Sequence, residues 1–434
     1  MTMTSKPPKP LSQDGLQSKS EQTRAMILAA AARYFRYQGY NAATMRKIAK
    51  FANIEAGSIY YHFLSKEDIL DEVLELGLSR LYNEAHQILA EANAQDKGFQ
   101  QVLSEMVDTH LTFLLSESDF TSANIRNFPT LSEELRQKHR PLRRAYSDLW
   151  NDFLTEAQQN GFVRTDIAIK PVRQFVLGAL NWTVEWYDAE RYPVGVLSER
   201  VTKLLLDGMA TKEHPPILAP KLDRKQFSDL EADSIEAGQT RQQVLSAAAR
   251  IIRDRGYKTA TMRAISSEAG IEAGSIYYHF RSKEDILDEV LDKGLRDLLQ
   301  EVTWTVSNRK QEEGNNLRIV ADAIEAHMEC LFQASEFTSA NIRIYGQLPS
   351  DVRARHWPVR HEYSLLWDRT LEDAQKSGGL RPDIKIVPLR QVMLGALNWT
   401  VEWFDPAKAG QEGYISLSEL VEILQKLLLS GLSK

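Results

Sequence analysis

Residues 54 to 74 read IEAGSIYYHFLSKEDILDEVL, and residues 271 to 291 read IEAGSIYYHFRSKEDILDEVL, so a single change, Leu64 to Arg281, separates two blocks 217 positions apart. A period of this size is far beyond the roughly 20 to 50 residues of a solenoid module, so the repeated unit is a whole domain. The same shift relates Thr44, Met45 and Arg46 to Thr261, Met262 and Arg263, FTSANIR at 120 to its copy at 337, Trp150 to Trp367, and GALNWTVEW at 178 to its copy at 395. Similarity is uneven. The segments before the two tryptophans, KHRPLRRAYSDL and RHWPVRHEYSLL, keep mainly the proline, one arginine, the tyrosine and a leucine. The first block is therefore under tighter constraint than the middle of each half.

Within the block, Thr44 to Asn53 reads as a short helix, Ile54 to Gly57 as a tight connection, Ser58 to Phe63 as a second short helix, and Ser65 as the start of a longer one. Two short helices around a sharp turn, the second polar and aromatic, match a helix-turn-helix. Gly57 removes a side chain where a backbone could meet a phosphate or base edge, and Ser58, Tyr60, Tyr61 and His62 offer hydrogen-bonding tips beside it. Ser65-Lys66-Glu67-Asp68 has capping-box spacing, which leaves Lys66 beside free helix amides where a phosphate is favoured. Plainer readings stand alongside. Phe63 and Tyr60 can be core, Thr44 only a helix cap, and His62 and Lys66 solvated surface groups.

At 434 residues, the chain has room for two domains of roughly 200 residues, each with its own core. The apolar fraction of 43% and charged fraction of 26% are those of an ordinary soluble protein. Cys330 is the single cysteine, which excludes an internal disulfide framework and fits a reducing cytoplasm. The opening MTMTSKPPKPLSQDG has no apolar signal segment, and no stretch approaches a membrane span. A cytoplasmic location without membrane partners is expected. The net charge of −6 gives no global pull toward nucleic acid, so binding must use local basic patches.

The pattern is helical throughout, and strand signals are missing, so the fold class is all-α with nine or ten helices per half. Residues 21 to 38 place Ile27, Ala31, Tyr34 and Phe35 on one stripe before Gly39, and 238 to 256 repeat the design up to Gly256. Pro141, Pro171, Pro358 and Pro388 are expected in first turns, opening helices. Residues 1–20 read as a disordered arm and 212–237 as a linker able to reach about 80 Å.

The segments TMRKIAKFANIEAGSIYYHFLSKEDIL and TMRAISSEAGIEAGSIYYHFRSKEDIL resemble the DNA-binding domain of TetR-family transcriptional regulators over about 45 residues in each half. The resemblance implies DNA-binding domains at 21–67 and 238–284 and ligand-binding and dimerisation domains at 68–211 and 285–434. It implies that Thr44, Tyr61, His62 and Lys66 meet phosphates while Gly57, Ser58 and Tyr60 face base edges, with Arg46 among the contacts. Their counterparts are Thr261, Tyr278, His279, Lys283, Gly274, Ser275, Tyr277 and Arg263. Many members carry a basic residue before the glycine. Here Ala56 and Ala273 stand there, which shifts weight toward DNA shape.

The bodies are expected to hold the effector site. Phe175, Ala179, Trp182 and Trp186 line one helix, 171 to 188, and Leu142, Tyr146, Leu149 and Phe153 another, 142 to 160; by family analogy these join half to half. Asn124 and Arg126, among Phe113 and Phe120, can anchor an anion or form a structural hydrogen-bond cluster. Trp182 can pack or line a ligand, and Phe337, Asn341, Arg343 and Trp399 repeat the set. ALNWTVEWYD is similar to a helix of members sensing acyl-CoA thioesters. An acyl-CoA or other amphipathic carboxylate is thus the leading effector, with an aromatic or lipophilic compound behind it. The expectation is a repressor on a near-palindromic DNA operator, acting as a monomeric pseudo-dimer, with an activator or a DNA-binding scaffold without ligand control as alternatives. No catalytic constellation, metal site or cofactor emerges.

Overall fold

The computed structural model describes residues 18–128, 131–208, 236–309, 316–345, 348 and 350–431. The expected arm up to residue 17 and the expected linker up to 235 lie outside the described residues.

The first repeat runs through α1 (Lys19–Gln38), α2 (Met45–Phe51), a 3-10 turn Ser58–Tyr61, α3 (Lys66–Gln95), α4 (Phe99–Thr112), α5 (Asp119–Asn127), α6 (Glu133–Gln159), α7 (Ile169–Asn181) and α8 (Val194–Asp207). The second runs through α9 (Glu236–Arg255), α10 (Met262–Glu268), α11 (Ile276–His279), α12 (Lys283–Arg309), α13 (Asn316–Glu329), α14 (Glu336–Ile344), α15 (Ser350–Lys376), α16 (Ile386–Asn398) and α17 (Leu417–Ser430). Among the described residues these are eight and nine α-helices, slightly fewer than expected for the first half, and there is no strand. None of the helices is long and apolar enough to cross a membrane. In both repeats a π-helical turn follows the fifth element, at Phe113–Glu117 and Cys330–Ala334.

Local signals place the helix ends. Ser18 and Glu21 form a capping box that starts α1, and Gly39, at φ 75°, ends it in the left-handed region that favours glycine. Ser65 and Asp68 close a second box at 3.0 and 3.1 Å, so α3 begins where its spacing predicts. Of the predicted stripe, Ile27, Ala31 and Phe35 are fully buried, and Tyr34 is half-buried with its ring edge on Phe51.

Two expectations need correction. Pro141 and Pro358 do not open helices; both lie inside α6 and α15, which start eight residues earlier. A proline there removes one backbone hydrogen bond, and each 27-residue helix absorbs the loss. The helix expected over 171–188 stops at Asn181 and tightens into a 3-10 turn, Trp182–Glu185, as its copy does at Trp399–Glu402.

The chain forms two compact units. One holds residues to 157 and 183–199, the other 158–182 and 200 onward. In the first, α1, α3 and α5 close one core that unites Ile27, Phe35, Ile59, Leu70, Phe120 and Ala123. The second unit contains the equivalent core of its own repeat and, in addition, α7 and the end of α8 from the first repeat.

Inside that second unit, α7 packs along α16 in a reciprocal seam. A Cβ on Gly178 would lie 2.7 Å from the Trp399 Cβ, and one on Gly395 would lie 2.8 Å from the Trp182 Cβ. The last helices, absent from the expected interface, flank it. Lys203 pairs with Asp383 at 2.7 Å, and their equivalents Lys426 and Asp166 pair at 3.6 Å. Gly208 and Gly431 approach each other just as closely, a Cβ on either meeting the other's backbone nitrogen at 2.6 and 2.5 Å. Each of these contacts from repeat one to repeat two has a partner running the other way, the pattern of an isologous interface, whereas the Asp207–Arg381 ion pair at 2.8 Å has none, since Ser430 stands where a second aspartate would.

Candidate nucleic-acid interface and effector region

Each head presents the same polar and aromatic surface. Thr44 caps α2, its hydroxyl accepting from the Lys47 amide at 3.2 Å; Thr261 caps α10 in the same way, accepting from Ala264 at 3.1 Å. Both threonines remain exposed, as do Arg46 and Arg263. Tyr61 and Tyr278 are each 89% exposed, Tyr60 and Tyr277 more than half. A phenol that folding leaves in water is available to a partner, so Tyr60 is not core. Phe63 and Phe280 are buried, as the plainer reading had it.

Gly57 and Gly274 are exposed, and an added Cβ would meet nothing within 4 Å. Gly57 has an ordinary right-handed backbone, φ −71° and ψ −31°. Neither strain nor crowding within the chain calls for glycine there. Ser58, Ser275, His62 and His279 are half-buried at the same edge. Lys66 lies over the Tyr40 ring at 4.3 Å and donates to the Ala43 carbonyl at 3.3 Å; Lys283 takes the same place over Tyr257. Each lysine is held at the start of its helix, a position that favours an anion.

The residues expected at the effector site are arranged differently from a simple lining. Asn124 donates to the Leu74 carbonyl at 2.8 Å and accepts from Arg143 at 2.8 Å; Asn341 donates to Leu291 and accepts from Arg360 at 2.7 and 2.9 Å. Both amides are cross-braces between helices. Arg126 bridges to Glu185 at 2.9 Å, to the Val184 carbonyl at 3.1 Å and to the Arg36 carbonyl at the end of α1. It acts as a clip between head and body. Arg343 holds Arg253 and Val401 in the same manner. Phe120 and Phe337 sit in the head cores, Phe113 is half-buried in its π turn, and Trp182 and Trp399 lie on the seam.

Among the described residues, two cavities open in the second repeat. One of about 520 Å³ includes Arg253, Arg343, Phe332, Trp403 and Phe404; the other, of about 460 Å³, shares Phe332 and Phe404 and adds Glu325, Glu329 and Val421. Of the residues singled out from sequence, only Arg343 lines either. The signal for the rest lay in the repeat itself. Past Trp403 the shift grows from 217 to 223, because KLLLDG at 203 matches KLLLSG at 426, and the six extra residues fall in the loop that walls both cavities.

Cys330 is buried, 3.4 Å from the Thr338 hydroxyl, and burial pushes its thiol up to about 12. Among the described residues no group of three or more metal-ligating side chains gathers.

Comparison with known proteins agrees with this architecture. The family profile of bacterial regulatory proteins of the tetR family matches residues 27–73 and 244–290, and that of the tetracyclin repressor-like C-terminal domain matches 96–209 and 320–432. The fatty acid metabolism regulator protein of Bacillus subtilis is 26% identical over 189 residues, 43% of this chain and 95% of its own length. The transcriptional repressor KstR2 of Rhodococcus jostii is 28% identical over 194 residues, 43% of this chain and 91% of its own. The solved structure of KstR2 from Mycobacterium tuberculosis matches 44% of this chain and 95% of its own at 22% identity, with a TM-score of 0.39. Each relative spans less than half of this chain, and both family profiles match twice. The chain therefore belongs to the tetR family of bacterial regulatory proteins, DNA-binding transcriptional regulators rather than enzymes, with two such units joined in tandem.

Proposed function

We propose that this protein is a ligand-controlled repressor that grips a near-palindromic operator with both heads of one polypeptide, the two repeats standing in for the two subunits of a dimer. The observation that carries the reading is the reciprocal seam of α7 and α16, which puts helices of both repeats into one compact unit. The heads keep the same exposed Tyr60-Tyr61 and Tyr277-Tyr278 surface, which fits two half-sites of nearly the same sequence about one helical turn apart. Thr44, Arg46, Tyr61, His62 and Lys66 contact phosphates, and Gly57, Ser58 and Tyr60 meet base edges, with their counterparts doing the same in the second half-site.

The effector is an amphipathic carboxylate, with an acyl-CoA thioester as the leading candidate. The names of the fatty acid regulator and KstR2 among its relatives support a lipid-derived compound. The aromatic walls of the second-repeat cavities, Phe332, Phe404 and Trp403, supply the apolar surface such a ligand needs, and Arg343 a cationic edge.

Light scattering of the DNA-free protein should report about 49 kDa, the mass of one chain. A stable species of twice that mass contradicts the single-chain dimer. On an operator selected from random duplexes, Tyr61→Ala or Tyr278→Ala alone should weaken binding, and the pair should abolish it. Binding untouched by either single change would sink the two-headed reading. A long-chain acyl-CoA should release the duplex; release by other ligands alone would replace the effector.

A further inference from the structure

The two heads share every side chain assigned to base edges, yet the helix that crosses the DNA backbone differs. In the first head α2 reads MRKIAKF; in the second α10 reads MRAISSE. Lys47 and Lys50 lie three residues apart, on one helix face, and both are exposed. At the same positions the second head has Ala264 and Ser267. A further change adds a negative charge, Phe51 becoming Glu268. Glu268 then draws in Arg250 at 3.3 Å, whereas the equivalent arginine of the first head, Arg33, lies over the Phe51 ring.

The only difference within the long identical block, Leu64 to Arg281, returns one positive charge to the second head, placed before α12 rather than on α10. From Thr44 to Lys66 there are four basic residues and one acidic; from Thr261 to Lys283 there are three basic and two acidic. The heads thus differ by two charges on the DNA-facing segment while keeping one reading surface.

Contacts to phosphates position a protein and set affinity, whereas contacts to base edges specify sequence. We infer that the two heads are unequal in grip and equal in reading: the first, through Lys47 and Lys50, is the main phosphate anchor, and the second reads the same bases with fewer ionic contacts. This rests on the chain binding DNA through both heads, as proposed above. Each neutralised phosphate steepens the dependence of log affinity on log salt by about 0.9, so the inequality has a direct readout.

The test uses the full chain and a random-sequence 40-base-pair duplex, with binding followed by fluorescence anisotropy from 50 to 200 mM salt. Lys47→Ala with Lys50→Ser, which gives the first head the residues of the second, should flatten the salt slope by about 1.8. It should weaken binding at the lowest salt by at least tenfold. Ala264→Lys with Ser267→Lys should steepen the slope and tighten binding by comparable factors. Lys47, Lys50 and Ser267 are exposed and Ala264 is half-buried against the head core, so circular dichroism checks that the fold is kept. If the wild-type chain binds but the lysine losses leave the slope unchanged, or the two-lysine gain in the second head has no effect, the inference is overturned. If the wild-type chain binds no duplex at all, the proposed function fails instead.

Discussion

The Trp399 side chain rests against Gly178 so tightly that a single methyl group on the glycine would come within 2.7 Å of the Trp399 Cβ. The obstructing atoms are the root of the indole, which cannot swing away as a flexible tip could. Gly178→Ala should therefore destabilise the protein by about 1 to 3 kcal/mol, the usual cost of overpacking. Gly395→Ala should do the same against Trp182. Gly195→Ala, in the exposed first turn of α8 with open space around it, serves as the control and should not destabilise the protein. Chemical denaturation of the three variants decides it; equal midpoints for Gly178→Ala and Gly195→Ala would refute the tight seam.

Arg126 ties three segments together, and its loss leaves Glu185, only 14% exposed, facing no guanidinium. Arg126→Ala should cost about 2 to 3 kcal/mol, and Arg126→Lys, which keeps the charge but not the fork, distinctly less. Because one of its bonds ends on the Arg36 carbonyl, amide exchange at the end of α1 should quicken in the alanine variant. Unchanged exchange there would show that the clip does not hold the head.

His327 is fully buried between the Tyr363 hydroxyl, which donates to Nδ1 at 2.7 Å, and Asn398, whose side-chain oxygen accepts from Nε2 at 3.1 Å. Burial favours the neutral ring and lowers its pKa to about 4 from 6.5. The folded form resists the proton that the unfolded chain accepts. Stability is thus full above pH 6.5, falls as the pH drops toward 4, and then levels, a loss of about 3 kcal/mol in all. In His327→Gln this portion of the slope should vanish. Melting temperatures measured from pH 7 to pH 4.5 for both proteins test it, and parallel curves would exclude the histidine as the cause.

Cys330 should resist thiol reagents in the native protein at pH 8 and react stoichiometrically once unfolded. Burial and a thiol held near 12 leave almost no thiolate. Rapid native labelling would mean that the π turn Cys330–Ala334 opens readily.

The heads were legible because their signals are local. Capping boxes, the stripe of Ile27, Ala31 and Phe35, and the glycine after α1 each act within a few residues. The bodies were less so, since their decisive contacts join distant positions. Arg126 meets partners 59 and 90 residues away, which no spacing rule displays, so an anion anchor and a structural cluster read alike from sequence. Pro141 misled for the opposite reason: a strong local signal was overridden by the long helix on either side of it. The extra loop after Trp403 was visible only by carrying the comparison of the repeats to their last helices.

A seam whose two sides lie on one polypeptide has a consequence for how such a regulator responds to scarcity. When separate subunits must first meet, the population of paired molecules falls with the square of their number under strong dilution. With α7 and α16 on the same chain, the loss is only linear. On the proposed reading, a cell holding a handful of copies after division keeps each of them competent, and a silenced promoter is guarded by single molecules rather than by chance encounters.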